Sequence, residues 1–431
     1  MIKSKINKDL PRKIYRLITR QIGSIDELYI DEAIKYIDDY WSDLTQKQTQ
    51  NDGTLIGLPN AYVIPAAQEG EKFNFSEQYY WDSYFIAIGL VESGQKKMAE
   101  GMLDNLIYLF ETYGFIPTAN RMYFMSRSQP PLLTSYIRLI YDSCDKDHAW
   151  LKKMMKVAEA EYNSIWMNEH HPFWHNIHRG LSRYYDINVL HDLAEAESGW
   201  DMTPRFGRKC LDYLPIDLNC LLFKYEADFA WAHKELGDKK ATNHWNAVSG
   251  HRKHVVSRVM WNKRKGFFFD YNFVKGSQSE TWSLAGYYAM WSGLATEGQA
   301  KQLVKALSKF EQAGGLVTTI RPLVDTSIFG SLRTQWAYPN GWAPLQYMAV
   351  EGLENYGYRD EASRIAKKWI QTNLGWFERH GVFQEKYNVV KPKKHAVEGV
   401  YPSQNGFGWT NAIFLKFCHQ YLGEGSDERS T

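Results

Sequence analysis

Apolar residues recur at helical spacing along most of the chain. Windows with a period near 3.6 residues alternate with loops rich in Gly, Pro, Asn and aromatic residues. The windows are 84–113, 152–167, 218–236, 241–260, 281–294, 297–310, 344–354, 359–374 and 408–421. Runs of Val, Ile and Thr with a period of two are short and few, so the pattern predicts an all-α protein.

The succession of windows predicts one helical domain. No long Pro/Ser linker or charge block interrupts residues 31–422. We therefore predict a single domain over 31–422, an N-terminal extension over 1–30 and a flexible polar tail over 423–431. Because the chemically distinctive segments lie between the helices, we expect a barrel of paired helices whose long loops gather at one end.

Composition and charge narrow the function classes. The 431 residues carry a formal net charge of +2, which provides no basic stripe for nucleic acid. No run reaches the ~18 apolar residues that a membrane span requires. The basic segment 1–24 lacks the continuous apolar core of a secretory signal. We therefore expect neither a nucleic-acid partner nor a membrane.

Cysteine and histidine spacing predicts no metal site. The cysteines are too far apart for a metal knuckle and too sparse for a disulfide framework, and they are Cys144, Cys210, Cys220 and Cys418. We expect reduced, buried thiols in a cytoplasmic protein. The histidines are scattered, and His170 and His171 form the only adjacent pair.

The segment 195–201 is the first candidate for chemistry. It places Asp201 directly after Trp200 and Gly199. A carboxyl packed against an indole loses solvation, which raises its pKa toward the range of a general acid. A surface or capping role for the same acid is the alternative, and the other segments must decide between them.

Four more segments combine aromatic residues with polar groups. In 75–85, Tyr79 and Trp81 could stack on a sugar and Asp82 could accept its hydroxyl groups, although Asp82 also suits the first turn of a helix. In 120–131, two prolines fix Arg127 and Gln129, which suit a polyol or, for the arginine, a surface ion pair. The loop 335–344 has an Asn-Gly turn between tryptophans and could equally be a packed turn. Glu385 in 384–388 is a second acid.

Together and in this order, the segments resemble the trehalases of glycoside hydrolase family 37, which are inverting α-glucosidases with an (α/α)6 toroid fold. The matching motifs span about residues 65–415. They are the E-x-Y-x-W-D-x-Y run at 77–84, R-S-Q-P-P at 127–131, E-S-G-W-D at 197–201, P-x-D-L-N at 215–219, Q-W-x-x-P-N-G-W-A-P at 335–344, E-K-Y at 385–387 and G-F-G-W-T-N at 406–411.

The resemblance implies roles for individual residues. Asp201 would be the general acid and Glu385 the general base, with carboxyl groups ~6.5–9.5 Å apart, as an inverting glycosidase requires. No metal or organic cofactor is needed. The implied substrate is a small disaccharide, most directly α,α-trehalose, bound by a monomer or weak homo-oligomer. The implied substrate-binding residues are Asn74, Phe75, Tyr79, Trp81, Asp82, Asn120, Arg127, Ser128, Gln129, Gly199, Trp200, Trp336 and Trp409.

The departures from the family pattern concentrate on the second sugar of trehalose. An arginine, an asparagine, an aspartate and a glutamate of the family are replaced here by Asn74, Thr118, Ala337 and Val400. The family's R-P-E-S-Y stretch has no counterpart before the acid segment. We therefore expect an altered leaving-group subsite, with Lys72 and Arg183 as candidate replacements for the lost cations.

Two other functions remain open on the sequence. The first is hydrolysis of another small α-glucoside, such as glucosylglycerate or a short α-glucan, because 199–206 also resembles the acid segment of the related (α/α)6 family 63. The second is a sugar-binding toroid without catalysis. Retention of both Asp201 and Glu385 argues against the second, because a binding protein has no need of two opposed carboxyl groups.

Overall fold

The computed structural model describes residues 27–67, 74–168, 170–171, 173–321, 334–399 and 401–422. Most of the predicted N-terminal extension, the tail 423–431, and the positions Lys72 and Val400 lie outside the described residues. Residues 27–30, which we assigned to the extension, belong to the first helix described.

The described part of the chain is mostly helical. Its α-helices are α1 (Glu27–Leu44), α2 (Tyr80–Glu92), α3 (Lys96–Tyr113), α4 (Leu133–Ser143), α5 (His148–Glu161), α6 (His191–Glu197), α7 (Ile216–Glu235), α8 (Lys239–Val259), α9 (Tyr288–Trp291), α10 (Glu297–Ala306), α11 (Ala343–Asn355), α12 (Arg359–His380) and α13 (Gly408–Leu422). A π-helical turn, Tyr162–Trp166, extends α5, and a 3-10 helix, Leu284–Tyr287, leads into α9.

Alternate helices form an inner ring. Each inner helix packs on the next, and the last packs on the first, in the order α2, α4, α7, α9, α11 and α13. The intervening long helices, α1, α3, α5, α8, α10 and α12, form the outer ring. The arrangement is therefore an (α/α)6 toroid, as the resemblance implied.

The ring closes where α13 lies directly against α2. A Cβ atom on Gly89 would lie 2.5 Å from the Cα atom of Ala412, so only glycine permits this approach. Lys416 forms an ion pair of 3.0 Å with Glu92 at the far end of the same contact. The first and last inner helices are thus joined by close packing and by charge.

The inner helices are buried on most of their surface. Every residue of α2 from Tyr80 to Leu90 is buried, including Asp82 and Ser83. A helix enclosed on all sides lacks a strong polar face. The spacing of its apolar and polar residues is therefore less regular than in a surface helix. The outer helices bury one stripe, which in α12 includes Ile365, Ala366 and Trp369.

The strands are short and all pair antiparallel. They are β1 (Thr45–Gln46), β2 (Tyr62–Val63), β3 (Asn176–His178), β4 (Leu181–Ser182), β5 (Tyr213–Leu214), β6 (Trp261–Asn262), β7 (Phe267–Phe268), β8 (Tyr271–Asn272), β9 (Ser277–Gln278), β10 (Glu311–Gln312), β11 (Gly315–Leu316), β12 (Asn340–Trp342) and β13 (Lys386–Asn388). The pairs are β1–β2, β3–β4, β5–β8–β9, β6–β7, β10–β11 and β12–β13. Most of them stiffen the loops between helices.

Most helical windows read from the sequence are confirmed, with shifted ends. The window 84–113 is two helices, because the chain turns at Gly94, whose φ is 74°. The window 281–294 holds only a 3-10 turn and the short α9. Helices α1, α4 and α6 were not predicted. Within the described residues, none of the helices is long and apolar enough to cross a membrane.

Candidate active site

The candidate site is built by the loops that lead from an outer helix to the next inner helix. Five of these six connections supply site residues: 45–79, 114–132, 162–215, 307–342 and 381–407. The sixth, 260–283, supports the site from behind. Because every inner helix begins at the same end of the toroid, these loops meet over the centre of the ring.

The loops enclose a cavity of about 280 Å³. Its walls are mainly aromatic, with acids, an arginine and an amide among them. The lining residues are Pro65, Phe75, Tyr79, Trp81, Asp82, Thr118, Phe124, Arg127, Gln129, Ala196, Gly199, Asp201, Trp336, Tyr401, Phe407 and Trp409. Nine of the predicted substrate-binding residues, which come from five separate segments, therefore share one cavity with Asp201.

Asp201 lies on a loop that is fixed on both sides. Its backbone carbonyl accepts a hydrogen bond of 2.8 Å from Nε2 of Gln335. Two residues further on, the backbone NH of Thr203 donates 2.7 Å to Oε1 of Glu195. Burial raises the pKa of Asp201 to about 7, and the charge of Glu385 adds to the effect. The carboxyl group can therefore carry a proton near neutral pH, in the direction expected from the sequence.

A buried arginine supports the acid loop from behind. Arg205 donates two hydrogen bonds, of 2.8 and 2.7 Å, to the carboxylate of Asp217 at the start of α7. It also donates to Asp270 in the sixth connection, at 3.1 and 2.8 Å. Its guanidinium lies 4.4 Å from the ring centroid of Trp200, and the same indole stacks on Trp336. Through Trp200, the segment that carries Asp201 therefore packs against both Arg205 and Trp336.

Gly199 is required by the contact between the acid loop and α2. Its φ is 72°, a left-handed conformation that glycine adopts without strain. A Cβ atom here would lie 2.7 Å from Cε2 of Trp81. Because Gly199 has no side chain, the loop that carries Asp201 can pass directly over the indole of Trp81. Gly199 therefore contributes to the cavity wall through its backbone.

Glu385 lies immediately before β13 and is fully buried, and it is not itself among the residues that line the cavity. Oε2 accepts 2.6 Å from Nζ of Lys386, and Oε1 accepts 2.9 Å from the hydroxyl group of Tyr401. Its backbone carbonyl accepts 3.1 Å from Nε1 of Trp409 and 3.3 Å from the hydroxyl group of Thr410. The carboxylate is thus held by Lys386 and Tyr401. Of the residues that bind Glu385, Tyr401 and Trp409 line the cavity.

Tryptophans form the main wall. The ring of Trp81 lies 5.8 Å from Trp336 and 5.8 Å from Trp409 between centroids. Trp336 stacks on Trp342 at 3.8 Å with an interplanar angle of 3°. These contacts fix flat apolar faces around the cavity, of the kind on which the C–H face of a sugar can stack.

Asp82 presents a second carboxyl group to the cavity from the first turn of α2. Burial raises its pKa well above the ordinary range, and the charges of Glu385 and Asp201 raise it further. We predicted that Asp82 would accept hydroxyl groups. In the neutral form favoured by burial it can donate one hydrogen bond as well as accept others.

Arg127 and Gln129 enter the cavity from the loop before α4. Nη1 of Arg127 lies 3.2 Å from Oδ2 of Asp186, so the arginine is oriented by a buried acid. Oε1 of Gln129 accepts 3.1 Å from the backbone NH of Trp81, which leaves its amide NH2 group as the available donor. Both side chains are therefore held in place by protein contacts.

Four predicted substrate-binding residues do not line the cavity, so their role in binding stays a prediction. Asn74 is exposed and directly precedes the lining residue Phe75. Asn120 is buried, where its amide bonds Gln78 and Ile56. Ser128 donates 2.6 Å to the carbonyl of Ile116. Trp200 is fully buried behind the acid. Loop packing, which the local sequence does not reveal, uses the side chains of Asn120, Ser128 and Trp200.

Two of the residues expected at the leaving-group side, Thr118 and Arg183, bind backbone carbonyls of the protein itself. Thr118, where the family has asparagine, lines the cavity but donates its hydroxyl group, 2.9 Å, to the carbonyl of Ser128. Arg183 lies away from the cavity lining and donates to three backbone carbonyls, those of Trp174, Leu211 and Phe173. Its guanidinium fixes a loop. Arg183 is therefore no replacement for the lost cation.

Sequence reasoning missed four residues that organise the site: Lys386, Tyr401, Gln335 and Arg205. Lys386 directly follows Glu385 in the sequence, and this adjacency is the signal that could have revealed its role. The others act across 16 to 134 positions, through Tyr401–Glu385, Arg205–Asp270 and Gln335–Asp201. In the part of the chain that the structure describes, no group of three or more His, Cys, Asp or Glu residues could hold a metal ion.

The chain matches known proteins over most of its length. The family model described as Trehalase matches residues 14–192 and 168–422. A periplasmic trehalase from Xanthomonas campestris pv. campestris (strain 8004) is 32% identical over 94% of this chain and 76% of its own length. The neutral trehalase Nth1 from Saccharomyces cerevisiae superposes with a TM-score of 0.74 and 29% identity, covering 92% of this chain and 81% of that chain.

A more distant structure shares the fold alone. The GH63 mannosylglycerate hydrolase from Thermus thermophilus is 17% identical, with a TM-score of 0.66 over 89% of this chain and 99% of that chain. Fold and site together define an (α/α)6 toroid with an acidic, aromatic cavity. The chain belongs to the trehalase family. It spans 54 to 59% of the length of three other curated relatives that it matches.

Proposed function

We propose that this protein is an inverting α-glucoside hydrolase that cleaves α,α-trehalose into two glucose molecules. One observation carries the proposal. Asp201, with a pKa raised to about 7, and Glu385, with hydrogen-bond donors on both carboxylate oxygens, belong to the same site. Two carboxyl groups in contrasting environments are what acid and base roles in glycoside hydrolysis require.

The reaction follows from these two roles. Asp201 donates its proton to the glycosidic oxygen, and the bond to the leaving glucose breaks. Glu385 takes a proton from a water molecule that attacks the anomeric carbon on the opposite face of the ring. This geometry needs carboxyl groups ~6.5–9.5 Å apart, since the water must fit between the base and the sugar.

The cavity is suited to the glucose that is attacked. Its volume of about 280 Å³ is near the lower end for a small-molecule site, so we place one sugar ring in it and the leaving group beyond it. Trp81, Trp336 and Trp409 would stack on the ring. Asp82, Arg127 and Gln129 would bind its hydroxyl groups.

The residues that differ from the family pattern on the leaving-group side support a second candidate substrate, another small α-glucoside. Thr118 replaces an asparagine of the family pattern and turns its hydroxyl group to a backbone carbonyl. A subsite altered in this way can prefer a different leaving group.

A substrate panel tests the proposal. Glucose release is measured from trehalose, glucosylglycerate and maltose with the wild type and with Asp201→Asn. We expect release from trehalose by the wild type only. Activity on another member of the panel but none on trehalose would favour the second candidate. Binding without release from any of them would support a sugar-binding toroid.

We also infer a cytoplasmic location and a monomer or weak homo-oligomer. All four cysteines are unpaired, and three of them are buried. The relatives include proteins named as cytosolic and as periplasmic trehalases. Fractionation of the source cells and size-exclusion chromatography test these two points.

A further inference from the structure

Tyr401 contacts the proposed base from the wall of the cavity that the proposed acid also lines. It lines the cavity, and its hydroxyl group donates 2.9 Å to Oε1 of Glu385. Burial raises the pKa of Tyr401 well above the ordinary range, followed by the charges of Glu385 and then Asp201. The charges of both carboxyl groups therefore act on the phenol, which stays a neutral hydrogen-bond donor across the physiological pH range.

Gln335 extends this contact to the acid. Its side chain lies beside that of Tyr401, where it opposes the rise in the pKa of the phenol. Its Nε2 also donates 2.8 Å to the backbone carbonyl of Asp201. A continuous path therefore runs from the carboxylate of Glu385, through a hydroxyl and an amide, to the backbone of the residue that carries the acid.

Gln335 is itself held on several sides. Its backbone carbonyl accepts 2.9 Å from Nδ2 of Asn340 and 3.2 Å from Nε1 of Trp342. A Cβ atom on Gly399 would lie 2.7 Å from Cδ of Gln335, so Gly399 packs directly on the amide. A side chain that is fixed in this way can hold the groups it contacts in a defined position, whereas a mobile side chain would move with them.

We infer that Tyr401 and Gln335 form a bridge that sets the position of Glu385 relative to Asp201. Both are positioning residues, and the inference rests on the proposed function because it requires both carboxyl groups to be catalytic. Lys386 holds only Oε2 of the base, so Tyr401 is the contact that fixes the direction of the other oxygen. A displacement of ~1 Å at a catalytic group can cost ~10²-fold in rate.

The test removes one polar group from each end of the bridge. Tyr401→Phe deletes the hydroxyl group and keeps the ring, and Gln335→Met keeps the length of the side chain without its donors. On the substrate with the highest wild-type activity, we expect kcat to fall about 10²-fold in each variant, with a much smaller change in KM. If one variant does not fold, the other tests the same bridge.

A matched control separates the bridge from the loss of any tyrosine hydroxyl group. Tyr356 donates 2.6 Å to the carbonyl of Ala295 and lies outside the cavity lining. We expect Tyr356→Phe to keep the kcat of the wild type. Thermal unfolding of all variants verifies that they fold.

The double variant distinguishes a bridge from two independent contacts. If the residues act through each other, Tyr401→Phe with Gln335→Met is no slower than the slower single variant, within about twofold. Multiplied losses would overturn the inference, as would a Tyr401→Phe enzyme with wild-type kcat. A wild type that releases no glucose from any member of the panel would instead refute the proposed function, and the bridge with it.

Discussion

The guanidinium of Arg205 lies 4.4 Å from the ring centroid of Trp200 while it binds the carboxylates of Asp217 and Asp270. Arg205 and both acids are buried to the same extent. The same side chain therefore joins the start of α7, the sixth connection and the loop of the acid. We expect this cluster to be essential for the stability of the site.

Arg205→Met should lower the free energy of unfolding by about 3–5 kcal/mol, because it leaves two buried carboxylates without their cation. Urea unfolding measures the loss. Arg208→Met is the matched control, since that arginine is 68% exposed and lies 3.8 Å from Asp192. It should change stability by about 0.5 kcal/mol at most. Equal stability of the two variants would contradict the role of Arg205.

Gly199→Ala should reduce both stability and activity. The new methyl group would overlap the indole of Trp81, and alanine is strained at a φ of 72°. We expect a loss of more than about 1 kcal/mol and a marked fall in kcat, measured by urea unfolding and glucose release.

Gly250→Ala is the control for Gly199. Gly250 lies within α8, and nothing lies within 4 Å of a Cβ atom placed there. Alanine should stabilise this exposed helix position by about 0.5–1 kcal/mol and leave kcat unchanged. A Gly199→Ala enzyme that behaves like this control would show that the close approach is not required.

The raised pKa of Asp201 predicts a dependence of stability on pH. Because the folded protein holds this proton up to about pH 7, whereas the unfolded chain releases it near ~4, the folded state binds more protons between these values. The contribution of Asp201 is fully favourable below ~4 and is lost as pH rises to about 7. The free energy of unfolding of the wild type relative to Asp201→Asn should therefore fall across this interval, and a constant difference would contradict it.

Activity should depend on the same proton. The acid must be protonated to act, so kcat/KM should decline above about pH 7. A pH profile of glucose release checks this. A profile that stays flat to about pH 9 would mean that Asp201 is not the titrating acid.

Much of the toroid could be predicted from the sequence, because most outer helices expose one polar face. Helix α1 was missed although its apolar stripe, Ile30, Ala33, Ile37, Trp41 and Leu44, has the required spacing. Helix α4 is short and begins soon after two prolines, and α6 has only seven residues. Such short segments give little periodicity to detect.

The site could be predicted only where its chemistry is local. Asp201 shares one motif with Gly199, Trp81 and Asp82 share another, and the structure brings both motifs into one cavity. The contact between Tyr401 and Glu385 depends on loops that meet only in the folded chain. Buried amides cause the opposite problem. Asn120 looks available for a ligand in the sequence, but in the folded chain its amide binds the backbones of Gln78 and Ile56.

Inversion is the central claim, and the anomeric configuration of the first product tests it most directly. Trehalose hydrolysis is followed by proton NMR within the first minutes, before mutarotation mixes the anomers. Attack by a water molecule activated by Glu385 predicts equal amounts of β-glucose, from the attacked ring, and α-glucose, from the leaving ring. Initial release of α-glucose alone would indicate retention and would contradict the assignment of Asp201 and Glu385 as acid and base.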